Sequence, residues 1–224
     1  MSAAEVQHED TEHRLLDSAC KVFADKGFHE ATVADICREA DANVAAVNYY
    51  FRSKEKLYVE AWRRAFHRSI AAHPPDGGVG AGAPPAERLR GRIRSIVDRI
   101  MDPASYEFDI MHHEHAQPTG LLDEILREAV EPIRRQTAVL VRELLGPAAP
   151  DRQVRLCGMS IIGQCFHMMM HKRLRGRGGR PGPPRPPAPL PDFTAAELVD
   201  HITRFSLAGI AERRRQFEGG EARQ

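Results

Sequence analysis

The stretch that decides the fold is residues 32–57, which read TVADICREADANVAAVNYYFRSKEKL. Thr32 can cap a short helix, with Asp35 reaching back as a capping box, and this helix ends near Asp41. A second short helix begins after Asn43, another good N-cap. Two helices of this length joined by about three residues predict a helix-turn-helix, whose second helix can enter a DNA major groove.

Outward from this stretch, apolar residues recur at three- to four-residue spacing, which predicts an all-α chain of about nine helices. The first helix is expected over about residues 12–26, capped by Thr11 and ended by Gly27. Pro132 is expected to kink or split the seventh helix. The remaining helices are expected over about 54–72, from 89 to Pro103, over about 104–116, from Thr119 to Gly146, over about 151–173, and from Thr194 to about Gln216.

Two Pro/Gly-rich tracts interrupt this pattern. Residues 73–86 are predicted to be a flexible, non-helical loop. Residues 175–191 form the second tract. The segment 173–185, which overlaps it, carries five arginines and no acidic residue. This basic segment either contacts nucleic acid or is a solvated connector. We therefore expect a helix-turn-helix domain over residues 11–58 and a ligand-binding and dimerisation domain over residues 59–217.

The short helices need a core of their own, because helices of this length are marginal alone. Tyr50 is assigned to this packing, since its spacing points it back toward the first helix. The predicted core consists of Phe23, Phe28, Val33, Ile36, Ala40, Val47, Phe51 and Leu57. The opposite face of the second short helix would then offer to DNA Ala45, Ala46, Asn48 and Tyr49.

The same residues resemble the DNA-binding signature of the TetR family. The resemblance rests on residues 32–36, Ala40 and residues 47–57, and it covers about residues 12–60. Residues 43–51 are most similar to TetR members with a CerR-type C-terminal domain. The resemblance implies a dimeric regulator with an N-terminal three-helix head and a C-terminal helical bundle.

Roles in DNA binding follow from the resemblance, position by position. It implies that Thr32 and Lys54 bind phosphates, that Tyr49 touches the backbone or a thymine methyl group, and that base edges lie against Val44, Ala45 and Asn48. The chain departs from the family at Asn48, where many members have Tyr. It also departs at Asp41, where the turn usually has Gly, but Asp tolerates the left-handed conformation that such a turn needs.

Charge gives limited support for a nucleic-acid partner. The formal net charge of the chain is +1, so a basic surface has to be local. Residues 43–56 carry three basic residues against one acid.

The four cysteines lie in apolar helical contexts without C-x-x-C spacing, which favours a reducing cytoplasm, and residues 1–10 lack an apolar signal segment. We expect a soluble, cytoplasmic protein with no membrane partner.

The second half of the chain carries too many apolar residues for a head alone. The eighth helix is apolar nearly all round. It contains Gly158 and Gly163, and each glycine lowers helix stability by roughly 1 kcal/mol relative to alanine. Close helix approach at a homodimer seam explains these glycines, and the resemblance places the last two helices in such a seam. The alternative is a core helix of a monomer. A two-fold dimer also matches a palindromic operator of double-stranded DNA.

A small-molecule effector is expected in this second half. The predicted pocket is mostly apolar and is lined by Met101, Tyr106, Phe108, Met111, Gln164, Phe166 and Met168. The alternative is a metal-responsive regulator that uses the cluster His112, His113, His115, His167 and His171. No cofactor and no resident metal is expected.

Other function classes find little support in the sequence. No Gly-rich phosphate loop, G-x-S-x-G elbow or H-E-x-x-H motif occurs, which argues against an enzyme. A purely structural DNA-binding protein would not explain the long helical segment after the head. We therefore predict a sequence-specific transcriptional regulator, a repressor that a small apolar or drug-like ligand releases from its operator.

Overall fold

A computed structural model of the chain describes residues 3–176 and 193–221, with side chains at positions 10–167 and 193–219. Within these ranges the chain is helical and contains no β-strand, which confirms the all-α prediction. The helices of the described residues are α1 (Ala3–Glu30), α2 (Val33–Ala40), α3 (Val44–Phe51), α4 (Lys54–Ala72), α5 (Pro85–Met101), α6 (Glu107–Ala116), α7 (Asp123–Leu145), α8 (Asp151–Gly176) and α9 (Ala195–Glu221).

The helices form two compact units. The first unit combines Met1–Ala72 with Pro103–Val130, so it contains α6 in addition to α1–α4. The second combines His73–Asp102 with Glu131–Gln224 and contains α5, α8 and α9. Helix α7 begins in the first unit and ends in the second. The domain boundaries at residues 11–58 and 59–217 stay a prediction.

The core of the first unit is built around α1, which packs against α2, α4 and α6. Most of the predicted core residues are buried, and these are Phe23, Ile36, Ala40, Val47, Phe51 and Leu57. Phe28 and Val33 are only half-buried, because they lie at the edge of this core. The largest fully buried side chain is Trp62 of α4, which stacks on Phe66 with 5.0 Å between ring centroids.

Buried polar contacts join α6 to α4. The Tyr58 hydroxyl of α4 donates to Glu114 Oε2 at 3.0 Å, and the backbone N–H of Thr119 donates to the other carboxylate oxygen at 2.8 Å. At the other end of α6, the Ser69 hydroxyl donates to Glu107 Oε1 at 2.8 Å. Both carboxylates are buried, and a buried polar group is costly to leave without a partner. These hydrogen bonds therefore fix the position of α6 along α4.

Gly27 is a second point where α6 meets the head. Its φ of 72° and ψ of 177° are non-helical, so the regular part of α1 ends there, as predicted, although hydrogen bonding continues to Glu30. A Cβ at this position would lie 2.9 Å from the His113 ring, too close for any residue but glycine. The expected N-cap at Thr11 is wrong, because α1 begins upstream at Ala3.

In the second unit, α5 packs against α9 and α8. The preceding residues 73–84 are non-helical, as predicted for 73–86, but they form an ordered turn that packs on α5 and not a flexible loop. Pro85 opens α5, and the Gly77 N–H donates to the Pro74 carbonyl at 2.8 Å. This turn packs directly on α5: a Cβ on Gly91 would lie 2.2 Å from the Asp76 carbonyl oxygen. A glycine pair, Gly77 and Gly91, permits this approach.

Several helix ends also differ from the sequence prediction. Helix α7 begins at Asp123 and not at Thr119, because the Thr119 N–H and hydroxyl both bind Glu114, and α7 is not split at Pro132. Helix α6 begins at Glu107, three residues later than expected. Helix α9 opens with a capping box, in which the N–H of Glu197 donates to Thr194 Oγ1 at 3.2 Å and the N–H of Thr194 donates to Glu197 Oε2 at 2.8 Å. The tract predicted over residues 175–191 lies outside the described residues from position 177 on.

Candidate nucleic-acid interface

Local capping positions α2 and α3. Thr32 Oγ1 accepts from the Asp35 N–H at 3.0 Å, and the Asp35 carboxylate accepts from the Thr32 N–H at 3.2 Å, which completes the predicted capping box. Asp41 adopts the left-handed conformation, with φ 49° and ψ 54°, and ends α2. The Asn43 side chain then caps α3 by accepting from the Ala46 N–H at 2.9 Å. The turn between the helices is therefore built as the sequence predicted.

Helix α3 has one buried and one exposed face. Val47 and Phe51 are buried against the head. The opposite face, which we call the reading face, consists of Val44, Ala45, Asn48 and Tyr49. Val44 is 49% exposed and Tyr49 is 64% exposed, so this helix presents large side chains to solvent. Such a surface on the second helix of a helix-turn-helix has the geometry that major-groove reading requires.

The two asparagines near α3 have different tasks. The Asn43 side chain is engaged in the helix cap. The Asn48 carboxamide makes no hydrogen bond to another residue in the described part of the chain, and its side chain is exposed. A carboxamide has two donors and an acceptor, so Asn48 is available to bind a base edge.

Arg52 follows α3 in a strained conformation. Its φ of 69° and ψ of −37° are rare for a residue with a side chain, and the Ser53 N–H donates to the Phe51 carbonyl at 2.8 Å across this tight turn. The turn places an exposed guanidinium immediately after the reading face. The resemblance to known motifs did not single out Arg52, because positive φ at a non-glycine residue leaves no signal in the sequence.

Thr32 and Lys54, the two predicted phosphate ligands, lie at the N-termini of α2 and α4. Because the Thr32 hydroxyl oxygen accepts from Asp35, its hydrogen remains able to donate. The Lys54 ammonium lies 4.3 Å from the Phe28 ring centroid, and partial burial lowers the pKa of Lys54. A hydrogen bond from Lys26 holds the pKa of the Asp35 carboxyl well below its usual range, so the capping box stays ionised at neutral pH.

The predicted effector-binding residues are distributed over both units. Tyr106, Phe108 and Met111 belong to the first unit, and only Phe108 is fully buried among them. Met101, Gln164 and Phe166 belong to the second, as does Met168, whose side chain lies outside the described residues. Gln164 faces a groove between α8 and α9, where its amide donates to Ser206 at 3.3 Å. The effector site stays a prediction.

The histidines are used in other ways where the structure describes them. His113 packs on Gly27, and a ring nitrogen of His115 lies 2.7 Å from the Met111 carbonyl oxygen. Among the described side chains, no three His, Cys, Asp or Glu residues are arranged to hold a metal ion. His171 lies outside the described side chains. Nothing in the described chain favours the metal-responsive alternative over the organic effector.

A second uncovered surface lies on the second unit. We call it the α8–α9 face: the exposed side chains of Leu156 and Phe205 line a groove of about 380 Å³ there, and the exposed Met159 of α8 lies outside this groove. Met159 is 70% exposed and Phe205 is 65% exposed. Beyond the adjoining residues and backbone of their own helix, no described atom lies within 4 Å of where a Cβ would be on Gly158 and Gly163 of α8 and on Gly209 of α9. Exposed apolar side chains near glycines with open space around them are typical of a surface that packs against another helix pair.

A capped helix-turn-helix with an exposed reading face, followed by a helical segment that carries an apolar face, defines a DNA-binding regulator of the helix-turn-helix class. Residues 15–61 match the family of bacterial regulatory proteins named tetR. Residues 85–210 match the C-terminal domain of the HTH-type transcriptional dual regulator CecR, the C-terminal domain type that the resemblance implied. The chain therefore belongs to the TetR family of transcriptional regulators, in the group with a CecR-type C-terminal domain.

Individual relatives agree with this assignment. The chain is 24% identical over 189 residues to the dual regulator CecR of Shigella flexneri, covering 76% of this chain and 80% of CecR. It is 30% identical over 124 residues to the repressor KstR2 of Mycobacterium tuberculosis, about half of each chain (53% and 52%). The fold also resembles that of FadR of Bacillus subtilis, solved with stearoyl-CoA, with a TM-score of 0.65 at 16% identity over 88% of this chain and 98% of FadR. No helix in the described part of the chain is long and apolar enough to span a membrane.

Proposed function

We propose that the chain represses transcription as a homodimer that binds a palindromic operator, and that a small organic effector releases it. The observation that carries the proposal is the reading face of α3, which is exposed and opposite two buried anchors, Val47 and Phe51. The repressor KstR2 and the dual regulator CecR are both relatives, which supports regulation at a promoter. We assign no enzymatic activity to the chain.

Within the interface, the proposal separates positioning residues from reading residues. Thr32 and Lys54 would bind phosphates on either side of the groove, and the free guanidinium of Arg52 would add a third contact. Base edges would meet Val44, Ala45 and Asn48, with Tyr49 at the border between bases and backbone. Phosphate contacts fix register and carry no sequence information directly, whereas base contacts specify.

The effector signal would reach the head through α6. Helix α6 belongs to the same compact unit as the head, and its Glu114 carboxylate holds Tyr58 of α4, the helix that directly follows α3. A displacement of α6 would therefore move α4 or break this hydrogen bond. Half-sites about one helical turn apart tolerate little change in the separation of two reading helices.

The proposed effector has a large apolar part, such as an acyl-CoA thioester. The support is the apolar character of the predicted lining residues Met101, Phe108 and Met111, together with the stearoyl-CoA complex of the structurally similar FadR. Methionine side chains adapt to ligands of different shape. The residues of the effector site remain those named from the sequence.

The experiment measures operator binding and effector binding together. A promoter that carries a site selected from random duplexes drives a reporter, and expression of the chain should lower reporter output. Stearoyl-CoA titrated into free protein and into operator-saturated protein should bind the free protein more tightly, by the same factor by which it weakens operator binding. Tyr58→Phe should leave operator affinity nearly unchanged and reduce that factor, because the Glu114 contact to α4 is lost.

Three outcomes would contradict the proposal. A rise of reporter output on expression would show activation and overturn repression. Equal affinity of stearoyl-CoA for free and operator-bound protein would overturn the acyl-CoA effector, and no binding at all would do the same.

A further inference from the structure

The reading face of α3 carries a restricted set of chemical groups. The helix reads VAAVNYYF from position 44 to 51 and contains no Arg, Lys, Asp or Glu. Its exposed base-directed positions offer the branched methyl groups of Val44, the methyl group of Ala45 and the carboxamide of Asn48. These positions are spaced one and four residues apart, so they lie on one side of the helix.

Each of these groups has a preferred partner in the major groove. A carboxamide forms a two-hydrogen-bond pair with N6 and N7 of adenine, whereas methyl groups pack on the C5-methyl group of thymine. Guanine is read mainly by Arg or Lys, and cytosine by Asp or Glu, and α3 has none of these. We infer that this chain reads A·T base pairs through α3, with Asn48 bound to adenine and Val44 and Ala45 packed on thymine methyl groups. This inference rests on the proposed DNA-reading role of α3.

The structure supports Asn48 as the residue that specifies adenine. Its carboxamide has no partner in the described chain, so binding a base breaks no internal hydrogen bond. The neighbouring Asn43 is committed to Ala46 at 2.9 Å and cannot take the same role without uncapping α3. Val47 and Phe51 fix the rotation of α3 on the head, so the carboxamide faces outward.

The test begins with selection of binding sites from a randomised duplex library by the full-length chain. Symmetric half-sites with A·T pairs at the strongest positions are expected. On the selected site, single adenines are then replaced by 7-deazaadenine, which lacks the N7 acceptor, and single thymines by deoxyuridine, which lacks the methyl group. One 7-deazaadenine position should weaken wild-type binding by about ten-fold.

Variants then assign each effect to its residue. The 7-deazaadenine effect should disappear in Asn48→Ala, and the deoxyuridine effect should disappear in Val44→Ser at the thymine that Val44 contacts, because each variant has already lost that contact. Asn48→Arg should shift the preferred base at its position from adenine to guanine. Lys54→Ala is the matched control: it should weaken all duplexes alike and keep both base-analogue effects.

The outcomes separate this inference from the proposed function. Half-sites dominated by G·C pairs, or a 7-deazaadenine effect that persists in Asn48→Ala, would overturn the inference and leave sequence-specific binding intact. Absence of any sequence preference would overturn the proposed function and the inference with it. Circular dichroism of each variant should match the wild type, because Val44 and Asn48 are exposed and Lys54 is only partly buried.

Discussion

Within the described residues, the reading face of α3 and the α8–α9 face are both exposed to solvent, and they differ in chemistry. The reading face combines the apolar side chains of Val44 and Ala45 with the carboxamide of Asn48 and the ring of Tyr49, and Arg52 follows it in a strained conformation. The groove of the α8–α9 face is lined by Phe205, which is 65% exposed, and by Gly209, where an added Cβ would contact no described atom beyond its own helix. Exposure alone therefore does not identify a partner. Hydrogen-bonding groups suit a base edge, whereas a glycine-lined apolar surface suits a second copy of the chain.

The largest effect is expected on the α8–α9 face. Phe205→Asp places a charge where the proposed dimer excludes water, so it should raise the dimer dissociation constant at least about thirty-fold, equivalent to about 2 kcal/mol. Sedimentation velocity over a dilution series measures this constant. The matched control is Val139→Asp on α7, because Val139 is 69% exposed and lies outside the groove.

Either of two results would contradict the assignment of the α8–α9 face to the dimer interface. A Phe205→Asp protein that dimerises like the wild type would show that the α8–α9 face is not the seam. Equal dissociation caused by Val139→Asp would show that the added charge acts in general and not at this face.

A smaller effect is expected at the border of the reading face. Lys54→Ala removes one phosphate contact, so the slope of log K against log salt concentration should become less steep by about one unit, with no change in base preference. Asn48→Ala should keep the slope and relax the preference at one base position. Fluorescence anisotropy at several salt concentrations measures both quantities. Identical salt slopes and identical sequence profiles for the two variants would show that the proposed division of roles is wrong.

Local chemistry explains which parts of the head could be predicted from sequence. The Thr32–Asp35 capping box, the Asn43 cap and the left-handed Asp41 each depend on a side chain and on backbone within a few residues. Such contacts leave a pattern in the sequence because both partners are close in the chain. The same holds for the Thr194–Glu197 box at the start of α9.

Long-range contacts explain what could not be predicted. Tyr58 and Glu114 are 56 positions apart, and no periodicity connects them. The segment 73–86 has the composition of a flexible loop, yet its turn packs on α5, because Gly91 has no Cβ at the point of contact. Composition indicates what a segment does alone, and it does not indicate that a glycine on the following helix leaves room for the segment to pack.

The smallest expected effect tests whether the glycines of the α8–α9 face allow close helix packing in the dimer. Gly163→Ala should stabilise an isolated subunit by about 1 kcal/mol, because alanine is the better helix former and the added Cβ would meet no described atom within 4 Å beyond its own helix. If the helices of two copies approach closely there, the same methyl group should weaken the dimer. Thermal unfolding over a dilution series separates the two effects, because only the dimer contribution depends on concentration.

The variant should therefore unfold at a higher temperature than the wild type in dilute solution and lose that advantage as the concentration rises. Gly91→Ala is the contrasting control, since its Cβ would lie 2.2 Å from a backbone oxygen of its own subunit and should destabilise at every concentration. A constant gain for Gly163→Ala at all concentrations would mean that no helix approaches Gly163 in the dimer. The glycine would then need another explanation, and the seam would have to lie elsewhere on the α8–α9 face.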